Sequence, residues 1–207
     1  MEKYETEEQQ VEAIKRFWKE NGVAIIVGAV LGLGGLYGWR YYNEQKVASQ
    51  EYASAAYEKT TQELLKSETG FSEGQAYINE NADTGYALLM AFKLAQQAVE
   101  RKDLSEAAKH LNFAAANAHN EAIQAIANLR LARIQLELEQ LAPALLSLDK
   151  VTDEAFSAQR QETKGDVYMA QKLFDKARAA YSSALQENAN NDVLKMKLDN
   201  LATVANG

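Results

Sequence analysis

Hydrophobic residues follow two different patterns along the chain. One uninterrupted apolar run, VAIIVGAVLGLGGLYGW, covers residues 23–39 and contains no charged side chain. Beyond it, apolar and polar positions alternate with the period of amphipathic helices, and Pro143 is the single proline. Ala, Leu, Gln, Glu and Lys, which all favour helix, are abundant throughout. The sequence therefore predicts an all-α protein.

The apolar run has three competing interpretations: a dinucleotide-binding turn, a cleaved signal peptide and a membrane anchor. Gly32, Gly34 and Gly38 approximate a nucleotide-binding turn, but such a turn needs a strand before it and an acidic residue about 20 positions later. A cleaved signal peptide needs a shorter apolar core followed by small residues, whereas residues 39–42 read WRYY. As a helix, residues 23–39 would span roughly 25 Å, which favours the single transmembrane anchor.

The predicted anchor carries two further signals. Aromatic rings prefer the headgroup level of a bilayer, and those at one end of the run are Tyr37, Trp39, Tyr41 and Tyr42. Small residues at four-residue spacing would let another helix approach closely, although glycine is also common in membrane helices without a specific partner. The candidate transmembrane helix contacts are Ala24, Gly28, Gly32, Gly34 and Gly38.

Flanking charges and helix breakers divide the chain into four predicted segments. Residues 1–22 form an N-terminal amphipathic segment, and residues 23–39 form the transmembrane helix. A helical stalk over 40–70 follows, because neither glycine nor proline occurs from 40 to 68, and the TGFSEG stretch at 69–74 breaks it. A repeat domain occupies 71–207. Close to the run, three basic residues precede it (Lys15, Arg16 and Lys19) and two follow it (Arg40 and Lys46), which favours a cytoplasmic N-terminus.

The part of the chain after residue 90 repeats itself three times. LAQQAVERKDLSEAAKHLNFAAA, LARIQLELEQLAPALLSLDKVTD and KGDVYMAQKLFDKARAAYSSALQ align with offsets of 37 and then 33 residues. Small residues near the start of each unit and twelve positions later would let two helices pack closely, and each pair must stack on the next to bury its remaining apolar side. These positions are Ala95, Ala107, Ala132, Ala144, Gly165 and Ala177. We expect about three helix pairs and a capping helix near 192–204.

This pattern resembles the tetratricopeptide repeat, most closely over residues 165–184. The resemblance implies an α-solenoid that binds peptides or helices on a concave surface lined by the first helix of each pair. The implied lining residues are Phe92, Gln96, Val99, Leu129, Arg133, Leu136, Glu162, Asp166 and Met169. Most of these positions are apolar, which suits unstructured hydrophobic segments. Equally, Leu129 and Leu136 could be core, because residues 122–138 are apolar all round.

Candidate catalytic chemistry is sparse. The chain has no cysteine, which excludes thiolate metal sites and a cysteine nucleophile. His110 and His119 are the only histidines and lack motif-spaced partners, while Glu137 and Glu139 fit a solvated helix edge. With a formal net charge of -7, a nucleic-acid-binding face is not expected. We predict no enzyme activity, no cofactor and no metal.

Three sequence segments together resemble one protein family. YETEEQQVEAIKRFWKENG, the glycine-rich anchor and GWRYYNEQK are similar to the N-terminus of the ancillary SecYEG translocon subunit family of Gram-negative bacteria, and NLRLARIQLELEQ continues the similarity. The resemblance implies a single-pass inner-membrane protein with a cytoplasmic N-terminus and a periplasmic repeat domain. It also implies association with the SecYEG translocon and with a membrane-anchored periplasmic chaperone of the prolyl-isomerase-like type.

Two non-enzymatic functions follow from these expectations. In the first, the chain is a repeat scaffold that is anchored in inner-membrane lipid. The scaffold holds the translocon, the chaperone and unfolded exported chains near one another. In the second, the same architecture serves as an assembly scaffold for another envelope complex, such as a pilus or the division machinery. Localisation to poles or septum would favour the second function.

Overall fold

The computed structural model describes residues 7–67 and 69–205, and every regular element in these ranges is helical. The predicted all-α fold is therefore confirmed. A short 3-10 turn, Glu154–Phe156, precedes the seventh helix. The helices are α1 Glu7–Lys66, α2 Gly70–Glu80, α3 Gly85–Glu100, α4 Leu104–Asn117, α5 Glu121–Glu137, α6 Leu141–Asp149, α7 Ser157–Ala170, α8 Phe174–Glu187 and α9 Asp192–Ala205.

The chain divides into two compact units, Met1–Tyr52 and Ala53–Gly207. The division falls inside the segment predicted as a stalk. Ala53 and Leu64, both on the last part of α1, are buried in the second unit, and the Tyr77 hydroxyl donates a hydrogen bond of 2.7 Å to the Ala53 carbonyl oxygen. The end of α1 therefore belongs to the core of the repeat unit, whereas the sequence interpretation began that unit at residue 71.

The break between α1 and α2 is shorter than the TGFSEG stretch suggested. Lys66 ends α1 and Gly70 already begins α2, so Phe71 and Gly74 are helical. A Cβ atom on Gly70 would collide with the backbone of Glu63. The glycine is thus required by the close approach of two helices and does not itself end a helix.

Three tight turns show that the helix pairs repeat. Lys102, Glu139 and Lys172 have positive φ angles of 62, 58 and 59°, and they stand at the 37- and 33-residue offsets of the aligned units. In each turn the following backbone N–H donates to a carbonyl five residues earlier, at 2.8 to 2.9 Å. This is the hydrogen-bond pattern of a helix that ends with a left-handed residue. The pairs α3/α4, α5/α6 and α7/α8 are therefore equivalent units.

The core runs along these pairs as a series of apolar clusters. The predicted small positions are buried, as Ala107, Ala132, Ala144 and Ala177 have no exposed surface. Helix α9, in the position predicted for the capping helix, contributes its apolar side to the last cluster. The buried residues of that cluster are Ala177, Tyr181, Ala184, Leu194 and Leu201.

Candidate functional site

A groove lies between α3 and α5, the first helices of two successive pairs. Its volume is about 200 Å³, and α4 contributes to it through Leu111. Both helices have good N-caps, because Thr84 accepts a hydrogen bond from the Ala87 amide and Asn120 accepts from those of Ala122 and Ile123. We call this feature the α3–α5 groove; its lining is Phe92, Ala95, Gln96, Val99, Leu111, Arg130, Arg133 and Ile134.

The α3–α5 groove combines an apolar interior with cationic walls. The guanidinium carbon of Arg130 lies 5.1 Å from the centre of the Phe92 ring, a cation–π contact that joins α5 to α3. Arg133, one turn further along α5, is exposed. Among the described residues, neither arginine has a carboxylate within 4.0 Å. The groove therefore presents two positive charges in a protein of net charge -7.

The corresponding face of α7 holds its own cation. Lys197 of α9 donates hydrogen bonds to Glu162 at 2.8 Å and to both oxygens of Asp166 at 2.7 and 2.9 Å. Burial acts to lower the pKa of the Lys197 ammonium, but the hydrogen bonds that it donates to Asp166 and Glu162 outweigh burial and raise that pKa. These two carboxylates are thus satisfied within the chain.

Tyr181 connects this ion cluster to the packing of α7 on α8. Its hydroxyl donates to Asp166 Oδ1 at 2.8 Å. Burial, followed by that hydrogen bond, raises the pKa of the Tyr181 hydroxyl above its usual value, so it remains a donor. A Cβ on Gly165 would collide with the Tyr181 ring. Gly165 is therefore the small residue that lets α7 approach α8.

The structure distributes the nine predicted lining residues among three environments. Leu129 is buried in the second core cluster, and Leu136 packs against it. This corresponds to the alternative that these two leucines belong to the core. Glu162 and Asp166 bind Lys197, and Met169 packs against the last core cluster. The four residues that meet in the α3–α5 groove are Phe92, Gln96, Val99 and Arg133.

Arg130 was missed by the sequence interpretation, although it contributes a charge to the groove. A single stripe of positions was followed along each helix, and Arg130 lies one turn before Arg133 at the edge of that stripe. Its role depends on the ring of Phe92, about 40 residues earlier in the chain. The spacing of Arg130 and Arg133 on one exposed side of α5 was the one available signal.

The first unit carries the apolar run. Within the described residues, one helix is long and apolar enough to cross a membrane, and only 6% of its apolar window is buried. The large apolar side chains of the run at 23–39 are exposed, unlike those of a core helix in a globular domain. A Cβ on Gly28, Gly32, Gly34 or Gly38 would find no described atom within 4 Å, so no part of the described chain packs on these positions.

The residues with possible acid–base chemistry are separate from the groove. His110 is buried against the Phe71 ring, with ring centres 5.5 Å apart, and burial lowers its pKa. Glu137 lies near the end of α5, and Glu139 occupies the left-handed position of the turn that follows. In the ranges 7–67 and 69–205, no three His, Cys, Asp or Glu side chains are grouped so that they could hold a metal.

Paired helices with repeated turns and a shared apolar core define a tetratricopeptide-like repeat protein. The model of the tetratricopeptide repeat-like domain family matches residues 15–203. The ancillary SecYEG translocon subunit of Escherichia coli (strain K12) is 37% identical, over 98% of this chain and 100% of that protein. Those of Haemophilus influenzae and Neisseria gonorrhoeae are 34% and 31% identical, each over 94% of this chain and 97% of the relative. The chain belongs to the ancillary SecYEG translocon subunit family.

Proposed function

We propose that this chain is a non-enzymatic, membrane-anchored repeat scaffold that associates with the SecYEG translocon. The observation that carries the proposal is the full-length similarity to proteins named ancillary SecYEG translocon subunits. The alignments extend over 94 to 98% of this chain, so they include both the apolar run and the repeats. Similarity over both the anchor and the repeat unit supports the same location in the cell.

The anchor is residues 23–39, and the bacterial inner membrane is the proposed location. Exposed apolar side chains along this run support insertion, because they would otherwise face water. The basic residues around the run favour a cytoplasmic N-terminus and a periplasmic repeat domain. The small residues from Ala24 to Gly38 would then contact a helix of the translocon within the bilayer.

The repeat unit holds partner proteins on the periplasmic side of the membrane. A groove of about 200 Å³ is below the usual size of a small-molecule site and suits one or two side chains of a peptide. The proposed partners are a membrane-anchored periplasmic chaperone of the prolyl-isomerase-like type and unfolded exported chains. The scaffold would keep them near the exit of the channel.

Purification in mild detergent tests this proposal. Tagged full-length protein is compared with a form that begins at Tyr41 and lacks the anchor, and the recovered proteins are identified by mass spectrometry. Recovery of translocon subunits with the full-length protein alone is expected if the anchor makes the contact. Failure to recover them with either form would contradict the proposal.

Orientation has its own test, because the chain lacks cysteine. Gln10 and Gln186 are both exposed, and a cysteine introduced at either position is labelled in intact cells with a membrane-impermeant maleimide. We expect labelling at Gln186→Cys once the outer membrane is permeabilised, and labelling at Gln10→Cys only after lysis. The reverse order would show that the repeat unit is cytoplasmic.

A further inference from the structure

We infer that the α3–α5 groove binds a peptide segment in which an acidic side chain lies next to a bulky apolar one. This inference rests on the proposed scaffold function and names the chemistry of its partner. Its starting point is the juxtaposition of an apolar cavity with Arg130 and Arg133 at its walls.

The apolar half of the occupant follows from the groove interior. Phe92, Val99 and Ile134 are the large apolar residues that α3 and α5 contribute to the lining, and Val99 is 42% exposed. The volume of about 200 Å³ admits one or two large side chains. Complete burial of one large apolar side chain strengthens binding roughly ten- to hundredfold, so such a side chain would be the apolar anchor of the peptide.

The acidic half follows from the two arginines. The Arg130 guanidinium carbon lies 5.1 Å from the centre of the Phe92 ring, and this contact places the cation at the wall of the groove. A guanidinium edge matches the two oxygens of a carboxylate. Among the described residues, neither Arg130 nor Arg133 meets a carboxylate within 4.0 Å, in contrast to Lys197.

The third helix pair provides an internal comparison. The corresponding face of α7 carries carboxylates, and the chain itself supplies the cation from α9. The face of α5 carries cations, and the described chain supplies no anion for them. Charge complementarity therefore selects an acidic partner for the α3–α5 groove, even though the protein as a whole is acidic.

Selection from a random twelve-residue peptide library tests this inference. The target is the full-length protein in nanodiscs of zwitterionic lipid, and binders to empty nanodiscs are removed first. Parallel selections use Arg130→Gln with Arg133→Gln, and Arg178→Gln as the control, because Arg178 is an exposed arginine on α8. We expect Asp or Glu within two positions of Leu, Phe, Ile or Met to be enriched on the wild type and the control, and not on the double variant.

Affinity then separates charge from apolar contact. A fluorescent synthetic copy of the most enriched peptide is measured by anisotropy, beside a copy with its acids changed to amides. The double variant and the amide copy should each weaken binding roughly tenfold or more, since one charge-assisted hydrogen bond is worth about a decade in affinity. Val99→Asp should also weaken binding, because it places a charge among apolar contacts.

Two results would overturn the inference. The first is a selection without acidic enrichment, or equal enrichment on the double variant. The second is a wild type that binds vesicles containing phosphatidylglycerol but not the peptides, together with a double variant that does not bind these vesicles. That result would assign the two arginines to lipid binding. Recovery of translocon subunits is measured in parallel for the wild type and the double variant. If the wild type recovers the subunits but binds no peptide, this inference alone is rejected. If the wild type does not recover the subunits, the scaffold function is rejected.

Discussion

Gly165→Ala should destabilise the last helix pair, although alanine normally favours helix. The added Cβ would collide with the Tyr181 ring. This ring is 3% exposed, its hydroxyl donates a hydrogen bond to Asp166, and the Lys197 ammonium lies 5.6 Å from its centre. The ring cannot move aside without losing these contacts. Overpacking costs about 1–3 kcal/mol, and one hydrogen bond about 1 kcal/mol.

The gain in helix propensity works in the opposite direction and amounts to about 1 kcal/mol. The net loss in unfolding free energy is therefore about 1–3 kcal/mol. Both tryptophans, Trp18 and Trp39, lie in the first unit, so tryptophan fluorescence does not report on this pair. Hydrogen–deuterium exchange of the full-length protein in mild detergent does, through peptides that cover α7 and α8.

Two comparisons make this prediction specific. Gly85→Ala is the matched control, because a Cβ there would find no described atom within 4 Å; we expect unchanged or slightly slower exchange. In a Tyr181→Leu background, the destabilisation by Gly165→Ala should disappear, because the ring that the added Cβ would meet is gone. The effects of substitutions at two residues in contact are not additive. Slower exchange in α7 and α8 for Gly165→Ala alone would refute the reasoning.

Three further predictions concern the turn, the ion cluster and the buried histidine. Lys172→Gly should stabilise the protein by about 0.5–1 kcal/mol, because glycine adopts the positive φ of this turn without strain; thermal unfolding measures it. Lys197→Met should cost about 1–3 kcal/mol and increase exchange in α9, because Glu162 and Asp166 would lose their shared cation. Because the pKa of His110 is lowered in the folded protein, the unfolded chain takes up a proton at a higher pH than the folded protein does. Stability should therefore fall as the pH drops below about 6.5. His110→Gln should flatten that dependence in denaturant titrations.

Each of these has a contradicting result. A lower melting temperature for Lys172→Gly would show that the backbone entropy of glycine outweighs the relief of the turn. Unchanged exchange in α9 for Lys197→Met would show that apolar packing alone holds this helix. An equal pH dependence with and without His110 would show that other groups cause it.

The repeat register could be predicted from the sequence because it depends on residue size. Buried alanines at Ala95, Ala107, Ala132 and Ala144 leave a regular trace that periodicity detects. The left-handed turn residues left no such trace. Lysine and glutamate at these positions carry no sign of a positive φ, which glycine or asparagine would have shown.

Contacts between residues distant in sequence limited the rest of the interpretation. The last part of α1 joins the core of the repeat unit through distant contacts, such as the hydrogen bond from the Tyr77 hydroxyl to the Ala53 carbonyl, 24 residues earlier. The sequence around Ala53 gives no local sign of this contact. The groove depends on Arg130 meeting Phe92 from another helix. The three residues of the predicted stripe on α3, Phe92, Gln96 and Val99, all line the cavity. On α5 the same stripe selected two leucines of the core region, Leu129 inside the second cluster and Leu136 packed against it.

Crosslinking in living cells tests the central claim, that this anchored scaffold works at the translocon, most directly. A photo-reactive amino acid is placed singly at positions around the apolar helix, including Gly28 and Gly32, and at Val99 in the α3–α5 groove. The account predicts adducts with translocon subunits from the helix positions and adducts with other envelope proteins from Val99. A membrane-inserted, correctly folded protein that forms no translocon adduct from any helix position would contradict it.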